Sequence, residues 1–211
     1  MQNGATIKVW DIGVRLFHWG LVALFVFAYI SGEGETESLH AWAGYVILGL
    51  LAFRLLWGFV GSRHARFSDF IYSPGEVIAY LKGLLTSRPK HYLGHNPAGG
   101  LMVIALLATL FVVSWTGLMA YGVEGKGPLA AAPQIGLVAT AQADGWEYEE
   151  HEGRKGGGEE DEFWEELHEG SVNFMLLLIV LHLTGVAVSS LLHRENLVRA
   201  MITGRKAKPV E

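Results

Sequence analysis

Two histidines, His168 and His182, lie fourteen residues apart on one apolar segment near the end of this chain. Fourteen residues of α-helix rise about 21 Å and turn through almost four whole revolutions, so both imidazoles project from nearly one face at two depths. One helix marked in this way could hold two stacked haems. Two more histidines, His18 and His40, lie on two other apolar segments. Histidine inside a membrane helix is costly unless it has a partner, so each of the four is a candidate site residue.

The elements that must carry them are legible in the hydropathy. The chain has 211 residues, 51% of them hydrophobic, and these gather in four runs at 14–30, 39–60, 100–121 and 172–192. Each is near the ~20 residues that a helix needs to cross a bilayer. The runs are uninterrupted and show no strand-like alternation. They predict an all-α fold, a four-helix transmembrane bundle with haem sites between the helices, forming a single domain over 1–211. A cleaved signal peptide is the weaker account of the first run, which carries Arg15 and His18 and ends at Tyr29, Ile30 and Ser31 without a small-residue cleavage pattern.

Charge then orients the bundle. Thirteen of the sixteen basic residues fall on the side that holds both termini and the second connection, among them Lys8, Arg63, Arg66, Lys82, Arg88, Lys90, Arg199, Arg205 and Lys206. The opposite side receives sixteen of the twenty-one acidic residues and only Lys126, Arg154 and Lys155. The positive-inside rule therefore predicts a multi-pass membrane protein with both termini in the cytoplasm.

With the termini inside, His18 begins the first, outward-running helix and lies toward the cytoplasm. The second helix runs inward, so His40 at its start lies toward the outside. On the fourth helix His168 is outer and His182 is inner. The expected pairs are His40 with His168 and His18 with His182, each pair offering two axial ligands to an iron held between helices. With both axial positions taken, such an iron suits outer-sphere electron transfer.

Arg54, fourteen residues after His40, shares its face at the inner level. A buried arginine needs an anion, and a haem propionate would serve; snorkelling to the interface is the competing account. Gly44 and Gly185 would let a flat macrocycle approach the backbone, although glycine is common in membrane helix packing. The chain has no cysteine, which excludes covalent c-type haem attachment, thiolate iron–sulfur ligation and disulfides.

The connections are of three kinds. Residues 31–38 form a short acidic turn. Residues 61–97 are basic and aromatic, with a helical period after Pro74 that suits a segment on the membrane surface or packed on the bundle. Residues 122–166 form one long external connection, glycine-rich and then strongly acidic, with glycines at 153–158 expected to be mobile. Its acidic cluster is either a solvated face or a docking surface for a basic redox protein. His64, His91, His95, His151 and His193 are expected to be surface residues. Trp10, Trp19, Trp42, Trp57, Trp115 and Tyr121 are expected at interfaces or in packing.

The chain resembles the bacterial cytochrome b561 family, which includes the b-type cytochrome subunit of nickel–iron hydrogenases. The residues that carry the resemblance are Trp10-Asp11 leading to Arg15-Leu16-Phe17-His18-Trp19, the Leu39-His40 start, and Arg54-Leu55-Leu56-Trp57-Gly58. It continues through Gly61-Ser62-Arg63-His64-Ala65-Arg66-Phe67 and His95-Asn96-Pro97-Ala98-Gly99-Gly100 to the His168 and His182 pair. The resemblance implies two haem b groups held by His18, His40, His168 and His182. It further implies electron exchange between the membrane quinone pool and a partner outside the cytoplasm. The long 122–166 connection departs from compact members, and its acidity mildly favours a periplasmic c-type cytochrome with a basic face over a permanently bound hydrogenase. The expected partners are thus membrane lipid, an exchangeable quinone and a periplasmic redox protein, with no nucleic acid. The oligomeric state stays open, a homodimer included. Two other functions compete: a transporter passing protons or metal ions along intramembrane histidines, and a membrane anchor whose haems do not conduct. The first predicts ion binding without a haem spectrum, the second haems that quinol does not reduce.

Overall fold

The protein is described by a computed structural model covering residues 6–32, 36–86, 90–130 and 158–207. In chain order it contains a short strand β1 (Thr6–Lys8) and helices α1 (Ile12–Ser31) and α2 (Glu37–Val60). Two single 3-10 turns (Arg63–Ala65 and Phe67–Asp69) follow, then α3 (Pro74–Leu85), α4 (Pro97–Val123), α5 (Gly158–His193), α6 (Leu197–Thr203) and strand β2 (Arg205–Ala207). The four expected membrane crossings are α1, α2, α4 and α5, each long and apolar enough to span a bilayer. Leu16, Phe27, Ile30, Leu56, Phe59 and Leu191 are among the large apolar side chains that point outward from them. Such a belt would be a liability in water and is at home in lipid.

The helices begin where side chains can satisfy the free amides of a first turn. Asp11 caps α1 by accepting from the Val14 amide at 2.9 Å, and Asn96 caps α4 by accepting from the Gly99 amide at 2.7 Å, with Pro97 in the first turn. Ser73 and Glu76 form a reciprocal capping box at the start of α3. The helical period after Pro74 is thus a real helix; it packs on α4, with Tyr80 buried and Ile78 and Leu81 left exposed.

α5 differs most from expectation. The apolar window starts at 172, but the helix begins at Gly158, so the last part of the expected 122–166 loop is helical. Glutamate is a good helix former, and anions near a helix N-terminus are favoured by the backbone dipole, so the acidic run Glu160 to Glu169 extends the rod outward. Glu33, Glu35, Arg88, Glu147, Glu149, Glu150, His151, Glu152 and the glycines before 158 lie outside the described residues.

Packing runs pairwise: α1 against α2, α4 against α5, and α2 joined to α4. α5 makes no comparably close backbone approach to α1 or α2 among the described residues. The core between the two histidine levels is small and apolar, built from Ala28, Ala43, Ile47, Leu51, Leu110, Val113 and Met175. At one end, β1 pairs antiparallel with β2, setting Thr6 opposite Ala207, Ile7 opposite Lys206 and Lys8 opposite Arg205. The strand before α1 and the strand after α6 therefore lie together on one side of the bundle, as four crossings between them require.

Candidate haem sites

The outer pair is built by α2 and α5. The rings of His40 and His168 face each other with centroids 6.1 Å apart and planes at 85°. Each is held from behind through Nδ1. The Nδ1 of His40 lies 2.8 Å from the Ala28 carbonyl of α1, and that of His168 lies 3.1 Å from the Val113 carbonyl of α4. A carbonyl can only accept, so in each ring Nδ1 carries the proton and Nε2 keeps its lone pair. Thr116 and Ser171 add hydroxyls around His168, with Thr116 Oγ1 3.1 Å from Nδ1. Gly117 leaves room for this ring, since a Cβ there would stand 2.9 Å from His168 Cε1.

The inner pair is built by α1 and α5. His18 and His182 have ring centroids 6.5 Å apart and planes at 53°. His18 also meets the Trp19 ring edge-on at 5.1 Å, and its Nδ1 is enclosed without a hydrogen-bond partner. Two imidazoles ligating one metal through nitrogens at about 2.0 Å would have ring centres about 6.3 Å apart. Both pairs fall close to that separation. Gly44 and Gly185 have nothing within 4 Å of the position a Cβ would take, so the space beside them is open.

Arg54 lies on α2 and is 3% exposed. Its guanidinium carbon sits 5.2 Å from the Phe67 ring centre and 5.8 Å from that of Phe70. Nη1 is enclosed and has no hydrogen-bond partner. This burial overrides snorkelling and comes from the turn after α2: a Cβ on Gly58 would run into the Phe67 ring, and one on Gly100 into the Phe70 carbonyl. Those two close approaches press both phenylalanines onto the inner end of the bundle, over the arginine.

The other described histidines, His64, His91, His95 and His193, are less superficial than expected. His64 contacts an Asp69 carboxylate oxygen at 2.7 Å, and His91 contacts Glu195 at 3.0 Å while meeting the His193 ring at 5.1 Å. His95 packs between Trp10 and Phe70, with ring centroids 4.7 Å from each, and its Nδ1 is enclosed and unpartnered. Burial, with the charges of Arg54, Lys206, His64 and His182 adding to it, pushes its imidazole down to about 3, so it is neutral at ordinary pH. His95 stood in the sequence just before the Asn96 cap, a place that looks like surface; its burial is supplied by residues far away in the chain.

Among the described residues no cluster of three or more histidine, aspartate or glutamate side chains could hold a metal ion. The histidines of α1, α2 and α5 meet in twos.

Residues 9–204 match the family described as prokaryotic cytochrome b561. A probable Ni/Fe-hydrogenase B-type cytochrome subunit of Azotobacter chroococcum is 26% identical, over 97% of this chain and 90% of its own length. The counterpart in Cupriavidus necator is also 26% identical, over 97% and 89%. That of Azotobacter vinelandii is 31% identical over 60% of this chain and 64% of its own length. No solved structure matches. Four apolar crossings, histidines that meet in pairs and a match over nearly the whole chain place this protein in the prokaryotic cytochrome b561 family, as a membrane b-type cytochrome that carries electrons.

Proposed function

We propose that the protein holds two haem b groups, one between His40 and His168 and one between His18 and His182, and relays electrons across a bacterial inner membrane. The observation that carries this is the pair of ring separations, 6.1 and 6.5 Å, each between helices whose backbones stand apart. Nε2 of each outer-pair histidine is the ligating atom, because Nδ1 is committed to a backbone carbonyl. Arg54 would seat a propionate of the inner haem, and the open space beside Gly44 and Gly185 suits a flat ring. When bound, the haems would supply reversible one-electron transfer. The chain fixes their depth, holds the ligand tautomers and keeps water from the middle of the bundle.

In this reading both termini are cytoplasmic, the inner haem serves the quinone pool and the outer haem faces a periplasmic redox protein. The names carried by the relatives support a Ni/Fe-hydrogenase as that protein. The exposed acidic turns of α5, with Glu162, Glu165, Glu166 and Glu169 around and above His168, support instead a basic soluble carrier such as a c-type cytochrome. Co-purification with a hydrogenase small subunit separates the two. The haem content is tested by a pyridine haemochrome assay on the purified protein. About two haems per chain are expected, falling to about one in His182→Ala and in His168→Ala. A ratio unchanged by either substitution would remove those residues from the ligand set.

A further inference from the structure

Of the buried nitrogen groups without partners at the inner end of the bundle, two share a neighbour. Arg54 makes no hydrogen bond or ion pair among the described residues, although it is almost wholly buried. The Nδ1 of His95 is likewise enclosed and unpartnered. Both side chains lie against Phe70, the guanidinium carbon 5.8 Å from the ring centre and the imidazole centroid 4.7 Å from it. Both groups thus pack against the aromatic residue that ends the turns after α2.

A buried arginine with no anion is unfavourable, and so is a buried donor with no acceptor. Among the described residues the carboxylates at this end are engaged elsewhere, and Asp11, whose charge reaches Arg54, makes no hydrogen bond or ion pair to it. Asp11 accepts from Val14, Trp57 and Ser62, and Asp69 is taken by His64 and Arg63. Glu195 is held by His91 and Lys206, and Glu76 closes the capping box with Ser73. No described carboxylate at this end is left over for these two groups, and a haem b carries two carboxylates on one edge of its ring.

We infer that His95 is a haem-binding residue, donating from Nδ1 to a propionate of the inner haem, so that His95 and Arg54 together form a two-pronged carboxylate seat. This rests on the proposed haem between His18 and His182. The stack of Trp10 and Phe70 fixes the imidazole plane, while Phe67 and Phe70 fix the guanidinium, so both donors are held in place before the cofactor arrives. Holding the propionate there offsets its negative charge and thereby favours ferrous iron.

The test is a spectroelectrochemical titration of the holoprotein, resolving the two haems. His95→Phe keeps the aromatic packing and removes the donor, while His95→Gln keeps a donor. The expected result is two haems retained in both variants, a downward shift of the inner midpoint in His95→Phe with the outer midpoint unmoved, and recovery of most of that shift in His95→Gln. Both midpoints unchanged in His95→Phe would overturn the inference while leaving the haem ligation intact. Haem lacking altogether from the unaltered protein would instead overturn the ligation reading and this inference with it. Should the phenylalanine variant not fold, magnetic resonance of unaltered holoprotein decides the matter. A through-space contact between 13C-labelled propionate and 15N-labelled histidine, lost in His95→Gln, is expected, and its failure to appear would overturn the assignment.

Discussion

At the residue scale, the histidine pairing was readable from the sequence because it needs only helix rise and alternating direction. What surrounds each histidine was not readable. The groups that hold the outer pair are the carbonyls of Ala28 and Val113, which every residue type possesses and which therefore leave no mark in a sequence. At the outer site Gly117, on a helix without histidine, leaves room for the His168 ring, and nothing in the sequence singled it out. Gly117→Leu is expected to push the His168 ring aside and to lower the haem ratio from about two to about one, with the inner haem's spectrum preserved. A haemochrome assay on the purified variant checks this. Asp11 offers a separate test outside the membrane core. Burial works to raise its carboxyl, but hydrogen bonds from Ser62, the Val14 amide and Trp57 outweigh this and hold it below its ordinary value. A folded value below the unfolded one stabilises the protein fully above about pH 4, and that contribution disappears as the pH falls through the folded value. Asp11→Ala should therefore cost about 1 kcal/mol near neutrality, and the gap between variant and unaltered protein should narrow below about pH 4. Thermal melts in detergent at several pH values measure both.

At the scale of elements, hydropathy found all four crossings, since length and continuous apolar character suffice to mark them. It missed the outer end of α5, because a run of glutamates reads as loop when only hydropathy is followed. Helix propensity and the N-terminal dipole would have pointed the other way. The depth of Arg54 came from its spacing to His40, whereas the lid of Phe67 and Phe70 above it needed the turn after α2 to fold back, a contact no local pattern specifies. α5 is the element on which most depends, since it supplies one histidine to each pair. Inserting one alanine between His168 and His182 should rotate one imidazole by about 100° relative to the other. The expected outcome is a chain that still inserts and retains at most one haem, seen as a halved haemochrome signal with unchanged membrane yield. Two haems in that variant would contradict ligation from a single continuous rod.

At the scale of the whole molecule, charge is divided between the two faces. The extended α5 carries exposed Glu162, Glu165, Glu166 and Glu169, while the opposite end gathers most of the lysines and arginines. Electrostatics of this kind act mainly on encounter rate and fade as salt rises. Replacing Glu162, Glu165 and Glu166 with lysine should slow electron exchange with a basic soluble carrier by about tenfold at low ionic strength, with little difference at high salt. Stopped-flow reduction of a basic c-type cytochrome at two salt concentrations provides the measurement, and equal rates at low salt would remove the acidic face from partner recognition.

The histidine that completes each pair lies on the last long helix to be synthesised, and the strand after it clasps the one before α1. A nascent chain that has inserted its first three crossings thus presents His18 and His40 on an open flank, each lacking its opposite number. On the proposed ligation neither haem would have both of its histidines until α5 has been made, so loading would follow translation past residue 182 and a chain truncated before α5 is expected to be colourless.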